Sequence, residues 1–179
     1  MKDLSKINFY RWGLIPTIKD VTMKKIFLML LFMLCFTWNA YAAGTITQTL
    51  EYDAASSHYV LTFTCVGDGA NGSFPSTGNA VLSTDNLAKL KGLYIIEVRT
   101  YPQATNPTAA WDAVINDAGG LDLMGGTLAN RSASAAESAI PAMITGIYGG
   151  RKVIDAFTTV ITGNSVHSAG IIVKVILER

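Results

Sequence analysis

The chain has 179 residues, of which 50% are apolar and 15% charged, and a formal net charge of +1. That length fits one domain with short appendages, and the apolar share and low charge exclude a disordered chain or a polybasic nucleic-acid binder. Two cysteines are too few for a disulfide scaffold or a paired-cysteine zinc site, whereas sixteen glycines among many Ser, Thr and Asn suit strands joined by tight turns.

Met23-Lys24-Lys25 precedes an unbroken apolar run from Ile26 to Phe36, and Ala40-Tyr41-Ala42 follows it. A basic start, a short apolar helix and a small-x-small tripeptide are the parts of a secretory signal peptide. Its peptidase needs small side chains at the last and third-last positions, which Ala42 and Ala40 supply, and the cut leaves Ala43 as the new N-terminus. The run falls short of the roughly 20 apolar residues that span a membrane. Residues 23–42 therefore read as a cleaved signal, with no stable membrane anchor afterwards. Cys35 follows Leu34 rather than a small residue, which argues against a lipoprotein. Residues 1–22 have no clear period. They are either an upstream start, with Met23 the true one, or an extended basic leader.

The remaining domain, 43–179, carries eight basic and eleven acidic residues, a net charge of −3. Such a chain has no electrostatic pull toward nucleic acid or anionic lipid. Export places it in the periplasm or outside the cell. Cys65, beside Phe63 and Val66, is expected to be buried and unreactive.

Strand signals begin at once. Residues 46–52 and 59–65 alternate, with Ile46, Leu50 and Tyr52 on one face and Tyr59, Leu61, Phe63 and Cys65 facing inward. The Asp53–Ser57 link makes them a β-hairpin. A glycine-rich loop over 67–78 is expected to be exposed and mobile. Residues 84–90 allow a short helix, capped by Thr84 or Asp85 and ended by Gly92. Leu93–Thr100 is a strong strand closed by Tyr101-Pro102, and 103–109 is a loop. Trp111–Asp117 is a strand, turning at Ala118-Gly119-Gly120 into a hairpin partner at Leu121–Met124. Gly125-Gly126 breaks the pattern, and 130–137 is a loop or short helix. Ile140–Ile144 is apolar but carries Pro141. A turn at 147–151 leads to a strand over 152–162, a turn at Gly163-Asn164-Ser165, and a last strand over 169–177. That strand is apolar almost throughout, as for a strand covered on both faces. About eight strands with turns at roughly 10-residue spacing indicate an all-β, antiparallel β-sandwich of jelly-roll kind in a single domain.

No residue cluster declares a chemistry. His58 and His167 read as exposed loop histidines, not a zinc pair, and no serine sits in a Gly-x-Ser-x-Gly elbow. Asp117-Ala-Gly-Gly-Leu-Asp122 has oxygens for a hard cation, but its spacing is not that of an EF-hand. Asp117, Gly119, Gly120 and Asp122 are therefore read as turn formers. Scattered Glu51, Asp53 and Glu97 give no acid/base pair. Asn71-Gly-Ser73 and Asn130-Arg-Ser132 match the glycosylation pattern, which is short and frequent by chance. Tyr52, Tyr59, Tyr94, Tyr101, Trp111 and Tyr148 would line a sugar-binding face or, more ordinarily, fill the core. No catalytic residue, cofactor or metal is expected.

From Leu90 to Leu177 the order of motifs resembles small structural proteins of tailed bacteriophages. The elements are Asn106-Pro107-Thr108, Trp111-Asp112, Asp117-Ala-Gly-Gly-Leu-Asp122, Gly125-Gly126, Asn130-Arg131-Ser132, Phe157-Thr158, Gly163-Asn164 and Gly170-Ile171-Ile172-Val173. Each is weak alone, and their order carries the resemblance over about half of the chain. It implies a non-enzymatic, all-β virion component of the capsid-decoration or tail-associated kind that assembles as an oligomer. The signal at 23–42 departs from that family, whose members assemble in the cytoplasm. The expectation is thus an exported structural protein acting by self-association or within a protein assembly. The alternative is a secreted module binding a glycan or another surface ligand.

Overall fold

The computed structural model describes residues 43–75, 82–142 and 151–179, together with Lys25. Lys25 apart, the leader (1–22) and the signal segment (23–42), with Ala40 and Ala42, lie outside the described residues. Ala43 is exposed and precedes the first strand. In chain order the elements are β1 (Thr45–Asp53), β2 (His58–Val66), α1 (Thr84–Leu90), β3 (Tyr94–Pro102), β4 (Asp112–Asp117), β5 (Glu137–Ala139), β6 (Arg151–Lys152), β7 (Phe157–Thr162) and β8 (Gly170–Glu178). The protein is mostly β, and its strands pair antiparallel throughout.

The β1–β2 hairpin forms as its alternation dictates, running without a register slip from Thr45↔Val66 to Asp53↔His58. Asp53 closes the tip, its carboxylate accepting from the Ala55 N–H at 3.0 Å and the Ser56 hydroxyl at 2.7 Å. Leu61, Phe63 and Cys65 are fully buried on the inner face. Their counterparts on β1 are less covered: Ile46 and Leu50 are half-buried, and Tyr52 is 55% exposed. The core thins toward this edge of the sheet.

The large sheet runs β1-β2-β8-β3-β5, with β6 also on β3, so the last strand of the chain lies at its centre. That position explains the nearly continuous apolar run. Ile171, Val173, Val175 and Leu177 are fully buried, and Ile176 on the opposite face is 7% exposed. β3 carries a bulge between Ile95 and Glu97. β4 and β7 form a separate two-stranded sheet. Buried side chains of both sheets, with Trp111 among them, belong to one hydrophobic cluster, each large one contributing about 1.5–3 kcal/mol by leaving water.

Four local expectations are corrected. The helix forms at 84–90, but its cap is Ser83, whose hydroxyl accepts the Asn86 N–H at 3.3 Å. The hairpin expected of Leu121–Met124 forms but is cut short: the Asp117 N–H bonds the Leu121 carbonyl at 2.9 Å and the Leu123 N–H bonds the Ile115 carbonyl at 2.7 Å. A single bridge, Asn116↔Asp122, is followed by consecutive turns, and β4 pairs with β7. The expected strand 152–162 is split between the two sheets. At the break, Val153 exchanges main-chain bonds with Leu93 and Gly92, each 2.8 Å. Finally, the loop after β2 is not loose where it is described. Asp68 accepts the Ala70 and Asn71 N–H groups at 2.7 and 3.1 Å, and Phe74 is 7% exposed. Gly72, at φ +74°, lies so close to Ser165 that a Cβ would sit 2.6 Å from its carbonyl carbon.

Residues 76–78 of that loop, 143–144 of the expected apolar segment, and residues 147–150 with Tyr148 lie outside the described residues. Among the described residues no helix is long and apolar enough to cross a membrane.

Candidate functional site

The acidic repeat is best understood from where β4 ends. Asp117 closes the strand, and its Oδ1 accepts the N–H groups of Gly119 (2.9 Å) and Leu121 (2.8 Å). The Gly120 N–H bonds the Asp117 carbonyl at 3.0 Å, and Gly120 takes φ +84°, which favours glycine. Asp122 repeats the device: Oδ1 accepts from the Met124 N–H (2.9 Å) and Oδ2 from the Gly126 N–H (2.6 Å). Carboxylates already engaged by main-chain donors form turns. These four bonds account for both carboxylates without a cation. Among the described residues, no three His, Cys, Asp or Glu side chains cluster closely enough to hold a metal ion.

Other motif residues pair with one another across the fold. Asn164 is a hub, its Oδ1 accepting from the Thr108 N–H (2.9 Å) and its amide donating to the carbonyls of Val166 (3.0 Å) and Gly72. One side chain thus ties the loops after β2, β3 and β7. Asp112 Oδ1 accepts the Asn130 N–H at 2.7 Å. Trp111 is fully buried, and its indole N–H donates to the Ser132 carbonyl at 3.0 Å. It therefore cannot line a sugar-binding face.

Arg131 and Glu137 form an ion pair that sequence reasoning missed. The Arg131 side chain is 8% exposed, and its Nε donates to Glu137 Oε2 at 2.9 Å. The Ser132 N–H reaches the same oxygen at 2.6 Å. That N–H and the guanidinium together hold the Glu137 carboxyl below the usual glutamate value. No local spacing rule marks this pair, because residues six apart in a loop have no fixed geometry.

The remaining candidates separate. His58 opens β2, with Nε2 3.6 Å from Glu178 at the end of β8, while His167 precedes the start of β8. A nine-residue strand lies between the two positions, roughly 30 Å at the usual rise. Cys65 is fully buried, and burial pushes its thiol up to about 12, far from a reactive thiolate.

Two concavities among the described residues bear on binding. One, of about 380 Å³, lies between the Asp117 turn and the 151–155 segment. Leu121 (58% exposed) and Ile154 (70%) stand at it as apolar lips, with Arg151 and Asp155 beside them. The other, about 310 Å³, crosses β3 and β5 over Glu97, Arg99, Tyr101 and Ser138. There Arg99 grips Glu97 through two bonds of 2.8 Å, which lowers the Glu97 carboxyl below its ordinary value, and the Lys174 ammonium lies 5.7 Å from the Tyr101 ring centre.

The chain matches no family model, no curated protein and no solved structure.

Proposed function

We propose that this protein is an exported, non-enzymatic structural protein that works by assembly, its two sheets closing into a jelly-roll-like β-sandwich. In this reading it is similar to the decoration or tail-associated proteins that the motif order resembles. The observation that carries the reading is the use of the motif side chains. The side chains of Thr108, Asp112, Asp117, Asp122, Arg131 and Asn164 all make internal bonds that fix loops, Thr108 through its hydroxyl, which accepts the Ser165 N–H. Residues arranged in this way build surfaces for other proteins rather than a reaction centre. Leu121, Ile140 and Ile154, at 58–70% exposure, supply apolar contact points.

Two measurements test it. Light scattering, with and without phage particles or envelope fractions, should show self-association or capture, and a strict monomer that joins neither fails the reading. Intact mass of the exported protein should place its N-terminus at Ala43, and Ala42→Phe should leave a larger, membrane-held precursor. A soluble cytoplasmic protein that retains residues 1–42 would remove export and leave the virion role standing.

The groove over Tyr101 favours a second reading, a secreted module for a glycan or surface ligand. Its aromatic ring, charged pair and serine form the mixed surface that sugars contact. A glycan array on which Tyr101→Ala behaves as wild type would remove it.

A further inference from the structure

The two ends of the large sheet differ. One is closed off by β5 and β6, of three and two residues. The other is β1, nine residues long, with no Pro, Lys or Arg and no slip in its register. Proteins usually blunt an exposed edge with such residues, with bulges or with very short strands. From Thr45 to Leu50 β1 has none of these, and its two charges, Glu51 and Asp53, are confined to one end.

The direction of its main-chain groups follows from the ladder. Gly67 N–H donates to the Ala169 carbonyl, continuing the β2–β8 register, so the odd-numbered residues of β2 bond to β8. Its even-numbered residues therefore bond to β1, where Val66, Thr64 and Thr62 face Thr45, Thr47 and Thr49. The main-chain groups of Ile46, Gln48, Leu50 and Tyr52 are left pointing away from the sheet. Within this row Gln48 Oε1 is buried and has no hydrogen-bond partner among the described residues, an arrangement native structures avoid.

We propose that β1 is an assembly edge that pairs antiparallel with β1 of a second copy of this chain, centred on Gln48. This rests on the assembly reading above and names its partner and register. A two-fold axis normal to the sheet keeps inner faces together and sets Gln48 against Gln48, Ile46 against Leu50 and Thr47 against Thr49. Three outward-facing residues from each copy then form hydrogen-bonded pairs. The two Gln48 amides can rotate to donate to each other, which satisfies the buried acceptor. Charge selects the direction. Glu51 and Asp53 lie at one end of β1. Parallel pairing would stack them on their copies, whereas antiparallel pairing sends them to opposite ends. A strand pair is at the small end of specific interfaces, so the dimer is expected to be concentration-dependent.

Sedimentation of the purified protein over a concentration series tests the pairing. Wild type should show a reversible monomer–dimer equilibrium. The double variant Thr47→Lys/Thr49→Lys sets like charges opposite each other twice across the axis, at positions exposed in the monomer. It should keep its circular dichroism and weaken the dimer roughly tenfold or more. Gln48→Cys should cross-link under mild oxidation beyond the wild-type background, because facing Cα atoms in a hydrogen-bonded pair lie roughly 5.5 Å apart. Thr49→Cys should not. A dimer indifferent to the lysines and without the Gln48→Cys link overturns the β1 pairing but leaves assembly through another surface. Cross-linking through Thr49→Cys instead overturns the register. A protein that stays monomeric and binds neither phage nor envelope fractions overturns both proposals.

Discussion

Removing the Glu137 carboxylate should destabilise the fold more than its position on a short strand suggests. One of its oxygens accepts from the Arg131 guanidinium at 2.9 Å and from the Ser132 N–H at 2.6 Å. Glu137→Ala leaves the guanidinium, whose side chain is 8% exposed, with the Thr127 carbonyl at 3.2 Å as its remaining acceptor. Breaking a buried pair from one side costs about 3–5 kcal/mol. The Glu137 side chain is 33% exposed, so water enters the vacated space, and we expect about 2–3 kcal/mol instead. Arg131→Met should cost less, about 1 kcal/mol, because the freed carboxylate turns to solvent. Urea denaturation of the single variants and of the double variant Arg131→Met/Glu137→Ala measures the coupling. The pair also has a pH signature. The folded carboxyl is held below its ordinary value of 4.5. Its contribution is therefore complete above that value and lost as pH falls through the folded pKa. The stability gap between wild type and Glu137→Gln should be constant near neutrality and close in acid. Single variants within about 0.5 kcal/mol of wild type, or a gap that widens in acid, would refute the argument.

The remaining predictions concern groups that the fold places inside. Trp111→Ala should cost about 3–5 kcal/mol by thermal or urea denaturation, and Trp111→Phe about 1–3 kcal/mol through the unpaired Ser132 carbonyl. Asn164→Ala should cost about 1–3 kcal/mol, and hydrogen exchange should quicken at the Thr108 amide that its side chain now protects. Calcium should leave the melting temperature unchanged, while Asp117→Ala should lower stability by about 1 kcal/mol through the two N–H groups it releases. A calcium-dependent rise that Asp117→Ala abolishes would restore the cation site.

The parts of the fold legible in the sequence are those fixed by neighbours along the chain. Alternation over 46–52 and 59–65 carries its own register once Asp53–Ser57 closes the turn, and the apolar run 169–177 marks a central strand because side chains on both its faces are wholly or partly covered. The partner of β4 was not legible. A turn after Asp117 predicts a hairpin, which forms over one bridge before Asp122 and the glycines at 125 and 126 coil the chain locally, and the open side of β4 takes β7 from much later in the sequence. The break between β6 and β7 is equally non-local, because Val153 leaves the strand pattern to bond Gly92 and Leu93. At the level of the site, the turn role of Asp117 and Asp122 could be read from the adjacent glycines. The Arg131–Glu137 pair could not, because six residues of irregular chain fix no geometry, and neither could the Asn164 hub, which depends on loops brought together by strands distant in sequence.

Trp111 and Tyr101 show why composition alone misleads about recognition. Both are aromatic, both flank the same loop, and sequence offers them equally to a ligand. The fold separates them by the direction of one strand face: Trp111 turns into the core and bonds Ser132, while Tyr101 faces outward under Lys174. The same logic applies to the main chain of β1. Its side chains are mostly threonines and aliphatics with Gln48 among them and Glu51, Tyr52 and Asp53 at one end, and no motif marks them. What distinguishes the strand is that its even-numbered carbonyls and N–H groups point away from the sheet and find no partner among the described residues, a property of its place at the sheet's edge. Strand addition reads those groups through spacing and register, which is why a search for reactive side chains passes over it.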